Sequence, residues 1–163
     1  METQDLAAER LATIDAVLDE YEKESGLPLQ SENFYDNSVK GYMQMTRTSM
    51  EKLTIEECAE AALLLGSFSF HVQRLYNRET ARVNWAASSI KSLVAGRENQ
   101  YSGSWESQRN QAIKDDGYTN KMNKIKVYAQ QRADRLTYLA SSIKNLSDLF
   151  INLQRAKVSR GNV

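Results

Sequence analysis

The stretch MNKIKVYAQQRADRLTYLASSIKNLSDLFINL, residues 122–153, decides the fold. Its apolar residues alternate spacings of three and four, which is the pattern of a coiled-coil seam sustained over more than four heptads. Arg132 departs from this apolar pattern, and a polar residue inside a seam often sets register or oligomeric state at a cost in stability. The seam consists of Met122, Ile125, Ala129, Arg132, Leu136, Leu139, Ile143, Leu146, Phe150 and Leu153.

Two long helices are predicted around this seam. The seam itself belongs to a helix predicted over residues 118–157. The other is predicted over residues 54–95, where Thr54 and Glu57 have the spacing of a capping box and Gly66 is the sole helix-weakening residue. Both helices carry apolar stripes that need a partner surface.

Shorter elements are predicted before and between the long helices. An acidic helix over residues 3–24 should end at Gly26 and Pro28, because glycine followed by proline is a common helix ending. The remaining predictions are a loop over 25–41, a short helix over 42–50, a loop over 96–105 with Ser104 as a helix cap, and a helix over 105–115.

Together these elements predict an all-α fold, namely a long antiparallel helical hairpin with coiled-coil-like packing and an additional N-terminal helix. Residues 1–53 form an acidic helix and loop segment and residues 54–163 the hairpin, within a single domain overall. Two long helices with narrow apolar stripes bury little surface alone. We therefore expect other copies of the chain to share the seam in a homo-oligomer.

Composition excludes several classes of protein. The single proline and seven glycines are too few for the regular turns of a sandwich or barrel. One cysteine and one histidine exclude a disulfide framework and leave a zinc site short of ligands, so we expect no metal and no cofactor. No nucleophile, base and oxyanion donors come together, and we expect no enzyme. Without a targeting or membrane-spanning segment, a cytoplasmic location is expected.

Charge is distributed unevenly along the chain, although the net charge is zero. Residues 1–60 contain 5 Lys/Arg and 14 Asp/Glu, whereas residues 61–163 contain 16 Lys/Arg and 7 Asp/Glu. Such asymmetry indicates an anionic partner, or an acidic segment that competes for the basic surface. Head-to-tail packing between subunits is an equally good explanation.

Basic and aromatic residues alternate through the middle of the chain. Arg74, Arg78 and Arg82 are four residues apart and form one ridge on the second long helix. Cations among aromatic rings suit single-stranded nucleic acid, because they neutralise phosphates while the rings stack on bases. An ordinary solvated face with its aromatics in the core is the other interpretation. The candidate nucleic-acid-binding residues are Arg74, Arg78, Arg82, Trp85, Lys91, Arg97, Tyr101, Trp105, Arg109, Lys114 and Lys121.

A short internal repeat adds to this pattern. Residues 82–93 align without gaps with residues 135–146, and seven of the twelve positions are identical. Trp85 aligns with Tyr138. Either both long helices present the same arrangement of Arg, aromatic ring and Lys, or two amphipathic helices reuse a small set of residues.

Several of these motifs resemble a known family. Arg82-Val-Asn-Trp-Ala, Tyr101-Ser-Gly-Ser-Trp, Arg109 with Ala112-Ile-Lys, the run from Ala129 to Arg135, and Gln154-Arg-Ala-Lys157 look like small helical phage proteins, nearest to the UvsY-like recombination mediators. The resemblance covers roughly residues 70–160. It implies a homo-oligomer that binds single-stranded DNA and loads a RecA-like recombinase onto strands covered by single-strand-binding protein. The family's basic stretch would fall on Arg74, Arg78, Arg82 and Lys91.

The sequence therefore predicts a non-catalytic recombination mediator that binds single-stranded DNA. The alternative is a helical interaction or assembly protein, such as a phage structural factor or an inhibitor of a host enzyme. In that case Trp85, Tyr101 and Trp105 would be buried anchors and the chain would bind no nucleic acid.

Overall fold

A computed structural model describes residues 2–27 and 37–161, with side chains described within 6–27 and 38–161. Over these ranges the protein is all-α and contains no strand, as predicted. None of the helices there is both long enough and apolar enough to cross a bilayer. The helices are α1 (Glu2–Glu24), α2 (Asn37–Met43), α3 (Arg47–Lys52), α4 (Ile55–Val94), α5 (Trp105–Asp115), α6 (Gly117–Leu136) and α7 (Leu139–Gly161), with a 3-10 helix over Glu98–Gln100.

Side-chain caps begin the helices where the sequence predicts them. Thr54 Oγ1 accepts a hydrogen bond from the Glu57 N–H at 3.1 Å, while Glu57 Oε2 accepts one from the Thr54 N–H at 2.7 Å. The bond from the Thr54 backbone lowers the pKa of the Glu57 carboxyl, because it favours the charged form. Ser104 Oγ accepts from the Ser107 N–H at 3.3 Å and caps α5. The predicted starts of α4 and α5 are thus confirmed.

The prediction of one helix over 118–157 is wrong, because α6 and α7 are separate helices. Tyr138 adopts a φ of 63°, a left-handed conformation that interrupts the helical hydrogen-bond pattern. The Tyr138 carbonyl then accepts from the Ser142 N–H at 2.9 Å and the Ser141 hydroxyl at 2.9 Å, and α7 begins there. Neither glycine nor proline marks this break in the sequence.

The break also separates the two copies of the internal repeat. Residues 82–93 lie inside α4, whereas residues 135–146 span the junction of α6 and α7. Trp85 is half-buried against a hydrophobic core, while the aligned Tyr138 is 81% exposed. The repeat therefore does not present the same arrangement twice.

The segment before α4 is more helical than predicted. The loop prediction over 25–41 is wrong from residue 37 onward, and residues 28–36 of that prediction lie outside the described residues. The helix predicted over 42–50 is divided between α2 and α3. Val39, which is fully buried, and Tyr42, which packs edge-on against Phe150, hold α2 in place, and two apolar anchors are too few for a detectable periodicity.

Two compact units divide the chain. The first comprises Met1–Glu24 and Tyr76–Arg135, and the second comprises Ser25–Leu75 and Leu136–Val163. This division differs from the predicted segments 1–53 and 54–163. The acidic helix α1 packs with the later part of α4, whereas α2 and α3 belong with its earlier part.

Each unit has its own hydrophobic core, which would stabilise it by roughly 25 cal/mol for each Å² of apolar surface removed from water. The core of the first unit consists of Ala7, Ala86, Ile90, Val94, Ala112, Ile113 and Met122. The core of the second unit consists of Val39, Ala61, Ala62, Leu65, Val72, Ala140, Ile143 and Phe150.

The hairpin is visible in the second unit, where α7 packs on the earlier part of α4. Ser147 Oγ donates to the Ala62 carbonyl at 2.7 Å within the core. Further along α7, Lys157 Nζ donates at 2.7 Å to the carbonyl of Glu51 on α3, which precedes α4, so the partners of α7 move backward in the sequence as α7 proceeds. The two helices are therefore antiparallel, as predicted.

The predicted seam packs mainly inside one chain. Met122, Ala129, Ile143 and Phe150 are buried within a single copy, so the expectation that they lie between copies is wrong. The apolar face of the predicted seam packs against α4 and the neighbouring helices of the same chain. Among the other seam residues, Ile125, Leu136 and Leu146 pack against these cores. Arg132 faces Glu79. Leu139 and Leu153 remain partly exposed to solvent.

Gly66 gives a test of the packing between α4 and α7. A Cβ at Gly66 would lie 3.5 Å from Ser147 Oγ, an ordinary van der Waals contact. Gly66→Ala should therefore raise the free energy of unfolding by about 0.5–1 kcal/mol, because alanine favours helix over glycine. Urea unfolding followed by helical circular dichroism measures the change.

Gly96→Ala is the matched control, since Gly96 has a φ of +80° and alanine would be strained there. We expect it to lower the free energy of unfolding by about 1 kcal/mol. A destabilised Gly66→Ala variant would contradict the described packing.

Candidate nucleic-acid interface

Two of the three arginines of the predicted ridge on α4, Arg78 and Arg82, are paired with carboxylates of α1. Arg82 makes a bidentate pair with Asp15, in which Nε donates to Oδ1 at 3.0 Å and Nη2 donates to Oδ2 at 2.8 Å. The hydrogen bond from Asp15 raises the pKa of the Arg82 guanidinium, because it stabilises the charged form. The prediction that Arg82 is open to a polyanion is therefore wrong for this conformation.

Arg78 is held in the same way, one helical turn earlier. Its Nε donates to Glu22 Oε1 at 3.3 Å, and its Nη2 pairs with Asp19. The Arg78 side chain is largely buried by these contacts. The third predicted ridge residue, Arg74, belongs to the second unit, whereas Arg78 and Arg82 belong to the first.

A buried carboxylate lies beside the ridge. Glu79 is buried, and its Oε1 accepts from Arg82 Nη1 at 2.6 Å. Arg132 Nη2 lies 2.9 Å from the other oxygen, Oε2, so the polar residue of the predicted seam neutralises a charge within its own chain. Because a buried carboxylate without a cation is costly, these pairs fix α4 and α6 against each other.

Sequence reasoning did not select the acidic partners of the ridge. These partners are Asp15, Asp19, Glu22 and Glu79. The signal was present, because Asp15 and Asp19 are four residues apart, as are Arg78 and Arg82, and the two segments have opposite charge. An antiparallel pair of helices matches such spacings one to one. The charge asymmetry thus corresponds, in the first unit, to an acidic segment that covers basic residues.

An exposed aromatic residue with an adjacent cation lies at the start of α5. Trp105 is 62% exposed, and the Arg109 guanidinium carbon lies 5.4 Å from the centroid of its ring. A cation over a ring is attracted by the quadrupole of the π system. Of the predicted candidates, this pair best combines an accessible ring with a positive charge.

Two other predicted aromatics serve the core instead. Trp85 and Tyr101 are half-buried and pack against the core of the first unit. A hydrogen bond with Asp115 raises the pKa of the Tyr101 hydroxyl. The expectation that these rings are open platforms for bases is therefore wrong, whereas burial is what the alternative interpretation predicts for them.

The remaining candidates do not form one surface. Lys91 is nine residues beyond Arg82 and Lys114 is nine residues beyond Trp105, so each lies on the opposite side of its helix, at about 100° per residue. Both lysines are exposed, while Lys121 is half-buried.

Arg97 is tied to the start of α6. Its Nη1 lies 3.8 Å from Asp116 Oδ1. Asp116 in turn caps α6 by accepting from the Thr119 hydroxyl and from the Thr119 N–H, and these bonds lower the pKa of its carboxyl. Half of the Arg97 side chain remains exposed.

Comparisons of this chain with protein-family models, curated proteins and solved structures give no match. Its function is therefore inferred from the chemistry of its own residues.

The buried ion pairs give a test of stability. Arg82→Met should lower the free energy of unfolding by about 2–3 kcal/mol, because Asp15 loses its partner and buried Glu79 keeps only Arg132. Chemical denaturation measures the loss.

Arg47→Met removes an exposed pair with Glu51 on α3 and is the control. We expect it to cost about 0.3–0.5 kcal/mol. Equal losses for the two variants would contradict a structural role for the Arg82 pairs.

Proposed function

We propose that this protein is a non-catalytic, homo-oligomeric single-stranded-DNA-binding protein that acts as a recombination mediator and loads a RecA-like recombinase. The observation that carries the proposal is the exposed Trp105 ring with Arg109 beside it. An accessible ring stacks on a base of any sequence, and the adjacent guanidinium neutralises a phosphate.

Further exposed cations of the first unit support this role. Lys91, Lys114 and the exposed half of Arg97 lie away from the Trp105 ring and would add long-range electrostatic attraction for a polyanion. Such contacts act through counterion release and do not read bases. Binding should therefore be steeply salt-dependent and largely independent of sequence.

Assembly would strengthen weak individual contacts. Several subunits on one strand raise the effective concentration of each further site, and avidity then exceeds the affinity of a single site. This is how a small basic-aromatic site would hold a strand that single-strand-binding protein also covers.

The interaction-protein alternative is favoured by a different surface. Leu63 and Phe70 are seven residues apart on one face of α4, and they are 69% and 57% exposed. Large apolar side chains exposed together are typical of protein contact sites. In this alternative they would anchor a protein partner and the chain would leave nucleic acid unbound.

Trp105→Ala tests the proposed function. We expect its affinity for a fluorescent dT oligonucleotide to fall about tenfold in an anisotropy titration, because one stacked base is lost. Tyr21→Ala is the matched control, since Tyr21 is equally exposed at 61% but lies among acidic residues on α1. It should bind as the unchanged protein does.

The unchanged protein should also lose affinity steeply between about 50 mM and about 200 mM salt. Absence of binding at the lower concentration, or binding indifferent to salt, would overturn the mediator proposal. The assembly role would then be tested by light scattering, where Leu63→Ser with Phe70→Ser should lower the mass of the complex.

A further inference from the structure

The pairing between α1 and α4 has the geometry of a charged ligand in a binding site. Asp15 presents both of its oxygens to the Nε and Nη2 edge of Arg82. A phosphate meets this same edge with two oxygens, because the planar guanidinium matches carboxylate and phosphate alike. One turn away, two carboxylates share the same edge of Arg78, where Nη2 pairs with Asp19 and Nε donates to Glu22 Oε1 at 3.3 Å.

Arg82 is also held in position without α1. Arg82 uses Nη1 for Glu79, which leaves the Nε and Nη2 edge for a second anion. Glu79 lies on α4 itself, and Arg132 on α6 holds its other oxygen. The orientation of Arg82 is therefore set by residues outside α1.

Apolar packing of α1 is slight in comparison. Of residues 6–24, whose side chains the structure describes, Ala7 alone is fully buried, while Val17 and Tyr21 are mostly exposed. The helix is held further by the guanidinium of Arg10, which donates to the Tyr118 hydroxyl at 3.2 Å and lies over its ring. Contacts dominated by charge are weakened by salt and are open to competition by another polyanion.

We propose that Arg78 and Arg82 form a phosphate-binding site for single-stranded DNA, which α1 covers with Asp15, Asp19 and Glu22 until bound DNA displaces it. This inference rests on the proposed function, and it adds a second site and its regulation to the Trp105 site. The acidic face of α1 acts as a mimic of the polynucleotide backbone, since both present regularly spaced anionic oxygens.

Removing the charges of α1 that cover Arg78 and Arg82 should increase the affinity of the protein for DNA. The full-length Asp15→Asn/Asp19→Asn variant is titrated with a fluorescent dT oligonucleotide and should bind about tenfold more tightly, because a larger fraction of the protein has an open ridge. The matched control is Glu9→Gln/Glu20→Gln, which removes the same charge from exposed positions of α1. Adding Arg78→Gln to the first variant should abolish most of its gain.

The single variant Asp19→Asn provides the test if the double variant does not fold, since the Asp19 side chain is 58% exposed and its loss should disturb the fold little. It should keep native helical circular dichroism and bind about threefold more tightly. The inference would be overturned if the Asp15→Asn/Asp19→Asn and Glu9→Gln/Glu20→Gln variants bound DNA with equal affinity. The proposed function would still stand in that case if Trp105→Ala weakened DNA binding. If neither these variants nor the unchanged protein binds DNA at low salt, the proposed function itself fails.

Discussion

Glu79 is a carboxylate buried on α4, and the arrangement of the first unit follows from the need to neutralise it. Arg82 from the next turn and Arg132 from α6 do so, and the edge of Arg82 that remains is satisfied by Asp15 of α1. One buried charge thus connects three helices. Because Arg82 and Arg132 both neutralise Glu79, the pairs between α4 and α6 do not require α1, whereas α1 is held in part through its pair with Arg82.

The same network shows which of the predicted cations already have a carboxylate partner in the chain. Arg78 and Arg82 have carboxylate partners, whereas Trp105 presents an exposed ring with the half-buried Arg109 beside it. A basic residue in a sequence is therefore not evidence of a free positive surface. What matters is whether the chain supplies the counter-ion, and here it supplies one for each predicted ridge residue of the first unit.

The helices were predictable where local chemistry determines them. The Thr54 and Glu57 capping box and the Ser104 cap act over three residues, so the sequence contains all that is needed to locate the starts of α4 and α5. The break at Tyr138 was not predictable, since a left-handed tyrosine has no marker in the sequence.

Burial and charge pairing were predictable only in part. A heptad pattern identifies the apolar face of Met122 to Phe150, yet it does not tell whether that face meets the same chain or another copy. Likewise the spacing of Arg78 and Arg82 identifies a ridge and leaves its partner open. The acidic residues at the matching spacing on α1 were the missing half, and they are distant in sequence.

Amide hydrogen exchange of α1, with and without a dT oligonucleotide, tests most directly whether charge holds α1 in place and DNA replaces it. The account predicts that saturating oligonucleotide accelerates exchange across residues 6–24, while the buried parts of α4 and α6 keep their protection. Unchanged or slower exchange in α1 on binding DNA would contradict the account, since the helix would then be a fixed part of the fold.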